Sequence, residues 1–420
     1  MNNQGNEAMS HLEELKRLIL SHKFGHALPR EFYTSRFVYE SDMSAYWNRN
    51  WIWVGHESQI AAPGDYMVFD YGTESIIICR DGNGAINAHH NVCRHRGSRI
   101  CIDRSGNARS FACPYHAWTY DLSGKLRGGR AMAPDFNPDE WGLLKAKLIV
   151  FQGLIFVCAS EDSPPIEAGL EKLAPLTAPF GFEDLKIAHS ASYEVSANWK
   201  LALENYMECY HCAPSHKDYS RSHSLKAPEE MAQMIEPMRE RSAAAGLPVD
   251  VLNLTGTEAQ APCADIFYRR YPLYENYKTG SKTGRQVAPL LGSLTGHDGG
   301  ATDVQIGPLN NFLAYSDHVV GYRFIPRDMQ LTDIQVVWMV GKDAEEGIDY
   351  NLEDLIWLWH ATTLDDERII RHNQEGVNSH FFSPGPLAEM EHGIRDFYGA
   401  YLAKLWTSAN KPADGASAIK

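Results

Sequence analysis

The chain has 420 residues, enough for two domains of ordinary size, and is 44% apolar with ten tryptophans, which excludes a disordered protein. Its 39 basic and 53 acidic residues leave a net charge of −14, which argues against a nucleic-acid partner, because phosphate binding needs clustered Lys and Arg. No apolar run approaches the roughly 20 residues a membrane span needs, and the opening MNNQGNEAMSHLEELKRLIL holds acids and no unbroken apolar core, so neither a span nor a signal peptide is expected.

In chain order, Leu12, Leu15, Leu18 and Ile19 sit at helical spacing and predict a short amphipathic helix over 10–20. From about 50 to 160 the texture becomes short strands and turns. SIIICR at 75–80, the turn DGNG at 81–84 and 85–89 predict a hairpin. DLSG at 121–124 marks a second turn, and LIVFQGLIFVC at 148–158 reads as one buried strand. These features predict a small all-β domain. Beyond about 185, strands at 191–195, 319–324 and 334–340 mix with helical segments at 199–212, 351–376 and 389–406, which predicts an α+β domain. Residues 218–310 are rich in Gly, Ser, Pro and charge and carry the weakest pattern, and the chain contains no internal repeat. The eight cysteines (79, 93, 101, 113, 158, 209, 212 and 263) are scattered over a long chain, which favours free thiols and metal ligands in a reducing cytoplasm over a disulfide framework.

Inside the β domain, CRHRGSRICIDRSGNARSFACPYH at 93–116 places Cys93-x-His95 seventeen residues before Cys113-x2-His116. Two thiolates and two imidazoles suit a tetrahedral zinc site. They also suit a Rieske [2Fe–2S] cluster, with both cysteines on one iron and both histidines on the other. Zinc fingers take a cysteine pair from one hairpin and a histidine pair from one helix. Here each loop supplies one of each, as a two-iron cluster gripped between two loops requires. Gly97, Pro114 and Ser123-Gly124 fit tight loops beneath it, and Cys101 falls outside the pattern and reads as packing.

The second cluster of chemistry is ENYMECYHCAPSH at 204–216. A helix from Asn198 to about Cys212 would put Glu204, Glu208 and His211 on one face. Pro214 would end that helix and let His216 turn back beside His211. Two histidines lack the acid of a 2-His-1-carboxylate facial triad, whose open positions bind oxygen. The 351–376 helix offers it: Leu352, Leu355, Ile356, Trp359, Thr363, Ile370 and Asn373 form one stripe, and Asp366 falls within it while Asp365 points away. A carboxylate facing a core is costly unless paired or bound to metal, so Asp366 is the expected third ligand and Asp365 the fallback. Glu208 is expected to accept the second N–H of a ligand histidine. Cys209 and Cys212 have no second C-x2-C to complete a zinc site and are expected to be core thiols.

With these two motifs, the sequence resembles the α subunits of Rieske non-heme iron oxygenases, the aromatic-ring-hydroxylating oxygenase family. Ser98 and Tyr115 stand where respiratory Rieske proteins carry an extra cysteine pair, and Asp366 precedes Gln374-Glu-Gly376 as the family's metal carboxylate precedes Gln-x-Gly. The resemblance implies an N-terminal helical segment (1–45) packing on the catalytic domain, a Rieske domain (46–165) and a helix-grip catalytic domain of antiparallel sheet and long helices (166–420). It implies a [2Fe–2S] cluster on Cys93, His95, Cys113 and His116, and a mononuclear Fe(II) on His211, His216 and Asp366. Glu208 and Asn205 would be catalytic, Glu208 passing electrons from the cluster of a neighbouring subunit in a homotrimer. Electrons would come from NAD(P)H through a separate reductase, with or without a ferredoxin, and O2 would be the co-substrate. Glutamate at 208, where most of the family has aspartate, together with 197–201, 343–350 and 373–386, looks most like the branch containing the glycine betaine, choline and carnitine monooxygenases. That implies hydroxylation of an N-alkyl carbon and N-dealkylation of a betaine, quaternary ammonium compound or N-alkyl amide. Ring dihydroxylation, an electron-transfer Rieske protein and a zinc-binding structural protein are the alternatives. A cationic substrate would want an aromatic cage, for which FYRRYPLYENY at 267–277 is the candidate.

Overall fold

A computed structural model describes residues 3–223, 228–254 and 265–410. The N-terminal helix Asn3–Ser21 and the short helices Glu31–Thr34 and Arg36–Ser41 pack against the C-terminal helix His392–Asn410 and the helix Leu352–Asn378. Residues 52–158 form three small antiparallel sheets. The hairpin of Glu74–Arg80 and Ile86–His90 continues through Asp65–Tyr71 to Ser105–Asn107, Ile52–His56 pairs with Leu154–Cys158, and Phe111–Ala112, Thr119–Tyr120 and Leu126–Gly128 make the third. The turn at 121–124 forms as expected, with Asp121 Oδ1 taking the N–H groups of Ser123 and Lys125.

The stretch at 148–158 is two strands and not one. Lys147–Phe151 and Leu154–Cys158 pair antiparallel across Gln152 and Gly153, which both have positive φ (46° and 78°). Two consecutive left-handed residues make the tight hairpin turn that matches strand twist, and an apolar run on both sides hides that turn from periodicity.

The second half is built on a seven-stranded antiparallel sheet in the order Leu185–Val195, Leu331–Gly341, Val319–Asp328, Asn311–Ala314, Gly300–Ile306, Ile266–Pro272 and Val251–Leu254. The 27-residue helix Leu352–Asn378 lies across one end of this sheet with the helix Trp199–Tyr206 beside it. Both start on asparagine caps: Asn198 accepts from Lys200 N and Asn351 from Asp354 N. The stripe on the long helix differs at one end, because Gln374 and not Asn373 is buried, its Oε1 taking the backbone N–H of Asn198. Trp53 N donates to Asn310 Oδ1, and Asn310 donates back to Trp51 O, which ties the small sheets to the large one.

Beneath the N-terminal helices lies a buried polar network. Asp42 and Lys200 form a fully buried ion pair, completed by Trp199 Nε1 and the Tyr401 hydroxyl donating to Asp42. Glu204 is buried one helical turn on, accepting from Tyr33 at 3.1 Å and 3.2 Å.

Candidate metal centres and substrate cavity

The two Cys–His loops are structural copies. Gly97 N donates to Cys93 O and Cys93 N to Ser98 O. In the second loop Ala117 N donates to Cys113 O and Cys113 N to Trp118 O. Gly97 and Ala117, each four residues after its cysteine, take left-handed φ values of 75° and 56°. Only glycine adopts that conformation without cost, and Ala117 holds it because the loop's hydrogen bonds determine the turn. The cysteines are buried while His95 is exposed and His116 half-exposed, their rings 4.6 Å apart. Trp118 stacks on His95 at 4.9 Å. His116 Nδ1 is buried with no hydrogen-bond partner. Burial opposes ionisation of Cys113, yet the N–H groups of Tyr115 and His116 and the hydroxyl of Ser98 hold its thiol below the ordinary value. Inward sulfurs with N–H and O–H donors and outward imidazoles fit a [2Fe–2S] cluster.

The second site departs from the expected helix. Trp199–Tyr206 stops five residues short of His211, and a separate turn, Cys212–Ser215, follows. Glu208 ends the helix: its Oε2 takes the backbone N–H of Tyr210 and, at 3.2 Å, that of His211. Side-chain acceptance of backbone donors competes with helix continuation. Glu204, Glu208 and His211 therefore do not share a helical face, and Glu204 points to Tyr33 instead. Pro214 lies in the first turn of Cys212–Ser215, where proline is tolerated, and does not terminate the preceding helix. Cys209 and Cys212 are joined by a disulfide across this loop and are not core thiols as expected. Their Cα atoms lie 4.9 Å apart, inside the range a disulfide bridges. The other described cysteines, Cys79, Cys93, Cys101, Cys113 and Cys158, are free and buried.

His211, His216 and Asp366 come together although 150 residues separate the last two in sequence. His211 Nε2 lies 3.0 Å from His216 Nε2 and 3.4 Å from Asp366 Oδ1, and His216 Nε2 lies 3.0 Å from the same oxygen. Three donors about 2.1 Å from one metal at right angles stand ~3.0 Å apart, so the triangle fits one face of an octahedron. Asp366 Oδ1 is buried and, despite those distances, has no well-aligned hydrogen bond. Such an orphan is expensive without a cation. Burial would raise the Asp366 carboxyl, but His211 and His216 outweigh it and hold it below the ordinary value. Burial would lower His211, but Asp366 and Glu208 outweigh it and bring His211 up to about 9.

An acid stands near each imidazole. Glu208 Oε1 sits 2.5 Å from His211 Nδ1, and Asp365 Oδ2 sits 3.6 Å from His216 Nδ1. Asp365 lies on the flank of the helix near His216, but at 3.6 Å it makes no hydrogen bond, and His216 Nδ1 stays buried without a partner. Asn205 Nδ2 stands 3.3 Å from His211 Nε2. A cavity of about 400 Å³ opens beside His211, lined among others by Glu204, Asn205, Glu208, Glu391 and Tyr398.

Next to the triad stands an aromatic group. Tyr219 meets His216 at 6.1 Å between ring centroids, stacks on His223 at 4.1 Å and touches Trp359 at 5.6 Å. Tyr322 packs on Trp359 and Tyr206, and Tyr271 approaches His223. Of the 267–277 segment proposed as a cage, Tyr271 joins this group; the remainder comes from distant segments that only the fold assembles. Burial pushes His223 down to about 3, so its ring is neutral.

A two-loop cluster cradle in a small β domain, followed by a facial triad beside a large antiparallel sheet, defines the two-centre iron oxygenases. Sequence comparison agrees: residues 50–150 match the Rieske [2Fe-2S] domain and residues 182–406 the ring hydroxylating alpha subunit catalytic domain. The chain belongs to the Rieske non-heme iron oxygenases as their oxygenase subunit. It is 31% identical over 396 residues to the glycine betaine monooxygenase oxygenase subunit of Pseudomonas aeruginosa, covering 92% of this chain and 91% of that one. Over 199 residues it is 36% identical to the carnitine monooxygenase oxygenase subunit of Acinetobacter baumannii, covering 46% and 53% of the two chains. A quaternary ammonium Rieske monooxygenase crystallised with L-carnitine shares the fold, with TM-score 0.68, 23% identity and coverage of 93% and 98%. Naphthalene 1,2-dioxygenase shares it too, with TM-score 0.66, 18% identity and coverage of 94% and 95%. Members of this family work with O2 and reductase-derived electrons on a [2Fe–2S] cluster and a non-heme iron. No described helix is long and apolar enough to cross a membrane.

Proposed function

We propose that the chain is the oxygenase component of an N-dealkylating monooxygenase acting on a small N-alkyl compound, in the cytoplasm and as a homotrimer. The carrying observation is the donor triangle of His211, His216 and Asp366, spaced for one metal face and bordered by Tyr219 and Trp359. The full-length similarity to a glycine betaine monooxygenase supports the N-alkyl reading. Cys93, His95, Cys113 and His116 would hold the cluster, and the three triad residues the iron. Iron so held supplies O2 activation, and the net reaction inserts one oxygen atom into a C–H bond while two electrons and two protons reduce the other to water. A carbon so hydroxylated beside nitrogen is a hemiaminal, which releases aldehyde and the shortened amine or amide.

The residues of this chain set the conditions for that reaction. Glu208 fixes the tautomer of His211 by taking its Nδ1 proton in a hydrogen bond, while Asp365 at 3.6 Å acts on His216 only through its charge. Glu208 also lines the cavity beside His211, which makes it the candidate link to the cluster of a neighbouring copy. Asn205 offers an amide N–H beside the same ligand, and the aromatic wall excludes water from the open side. Reduced enzyme with a reductase, incubated with betaines, N-alkyl amides and arenes, should release aldehyde from a nitrogen compound. Cis-diol from an arene, with no aldehyde from any nitrogen compound, would overturn the proposal.

A further inference from the structure

The antiparallel pair Ile266–Pro272 and Gly300–Ile306 sets Asp303 directly opposite Arg269. Asp303 is surrounded by protein on all sides yet keeps accessible surface, and so do Tyr206, Tyr219 and Tyr271. Side chains in a packed core lose that surface; these four border a hollow. Tyr219 links the hollow to the metal triad, since its ring lies 6.1 Å from that of the ligand His216. Among the described residues, the Asp303 carboxylate takes part in no hydrogen bond, and Arg269 acts on it only through space. Ala301 pairs with Tyr271 two residues along the same strands, so Asp303 and Tyr271 stand on one face of the sheet, and Tyr271 reaches His223, on which Tyr219 stacks. Burial and then the charge of Asp303 push the phenols of Tyr206, Tyr219 and Tyr271 upward.

A buried carboxylate without a partner is costly, and tyrosine faces attract cations. The two features meet in one hollow beside the triad. We infer that Asp303 is the specificity-determining residue of this site, pairing with a positively charged nitrogen of the substrate so that a cation is selected over its neutral isostere. This inference rests on the N-alkyl reading of the chain and narrows it to ammonium compounds.

A consequence follows from protonation. Burial lifts the Asp303 carboxyl to about 7 against the pull of Arg269. The other groups around it are Arg269 opposite, the phenols of Tyr206, Tyr219, Tyr271 and Tyr315, which are pushed up, and His223, which stays neutral. A cation must displace the proton, so its affinity falls as pH drops below about 7, toward tenfold per unit. A neutral ligand shows no such loss.

The test is calorimetric binding to the purified holoenzyme, oxidised and without reductase, at pH 6 and pH 8. The probes are choline and dimethylbutanol, the same skeleton with carbon in place of the ammonium nitrogen. Choline should bind about tenfold or more tighter than dimethylbutanol at pH 8 and lose most of that margin at pH 6. Asp303→Asn should abolish both the preference and its pH dependence, and Asp303→Glu should keep the preference. Equal binding of the two probes, or a choline affinity flat between pH 6 and pH 8, overturns the role of Asp303 and needs no variant. It leaves the N-alkyl reading standing. Binding of neither probe, with aldehyde released from neutral N-alkyl amides, also overturns the role of Asp303 and keeps N-dealkylation. Binding of neither with no aldehyde from any nitrogen compound overturns both.

Discussion

Replacing Glu208 by glutamine removes the carboxylate that joins the loop to the metal ligand. In the native chain one oxygen lies 2.5 Å from His211 Nδ1, while the other takes the backbone N–H groups of Tyr210 and His211. A hydrogen bond to a charged acceptor contributes about 1.5–3 kcal/mol and one to a neutral acceptor about 1 kcal/mol. Glutamine keeps the shape and loses the charge, so His211 loses roughly 1–2 kcal/mol of orientation, which is about 5- to 30-fold in iron affinity. That agrees with the roughly 10–100-fold that loss of such a supporting carboxylate costs a metal site. One effect opposes it. The metal-free His211 holds its proton to about pH 9, partly because of Glu208, and the variant would release that proton to an incoming metal more easily. The comparison therefore belongs at pH 9 or above, where the proton no longer competes strongly. Iron affinity is measured by competition with a chelator, the visible spectrum of the cluster serving as internal control. Glu208→Asp, which keeps the charge, should recover much of the loss. An iron affinity in Glu208→Gln within twofold of wild type at pH 9 refutes the reasoning.

Asp366→Asn should lose iron outright, whereas Asp365→Asn, which removes an acid 3.6 Å from His216 Nδ1 and outside hydrogen-bond reach, should weaken it by less than about tenfold; equal losses in metal analysis would contradict the division of roles. Glu204 is held up to about 8 by burial, against an ordinary 4.5. A raised acid stabilises the fold when protonated, fully below about pH 4.5, and that contribution is withdrawn as pH rises to 8. Melting temperature should thus fall further between pH 6 and pH 9 in wild type than in Glu204→Gln, and equal falls would contradict the assignment. Asp42→Asn strands the Lys200 ammonium in the core and should cost about 3–5 kcal/mol in denaturant unfolding; a loss below about 1 kcal/mol would mean that Lys200 finds another partner.

The candidate metal ligands could be named from sequence because most of their chemistry is local. Cys93, His95, Cys113 and His116 carry their spacing in two short loops, and periodicity alone separated Asp366 from its neighbour Asp365. The supporting residues were harder to read. Asp365 lies off the buried stripe yet comes near His216, because a ligand's second nitrogen faces outward from the metal, toward the flank of the helix. The break before Glu208 escaped notice since a carboxylate just past the helix end, taking the next backbone N–H groups, leaves no Gly or Pro to mark it. Tyr206, Tyr219, Tyr271, Tyr322 and Trp359 come from five separate elements, and no window of sequence contains the wall they form. Asp303 left one faint signal, the single charged residue in the strand GATDVQI, whose meaning depends on the strand that pairs with it.

The central claim is that one polypeptide carries two distinct iron centres. Mössbauer spectroscopy of isotope-enriched, reduced protein tests it most directly. The account predicts a cluster pair, with its two irons in unlike ligand fields, plus a third, high-spin ferrous iron that disappears in Asp366→Asn while the pair stays intact. A spectrum that shows the cluster pair alone, or one whose third iron is untouched by Asp366→Asn, would contradict it.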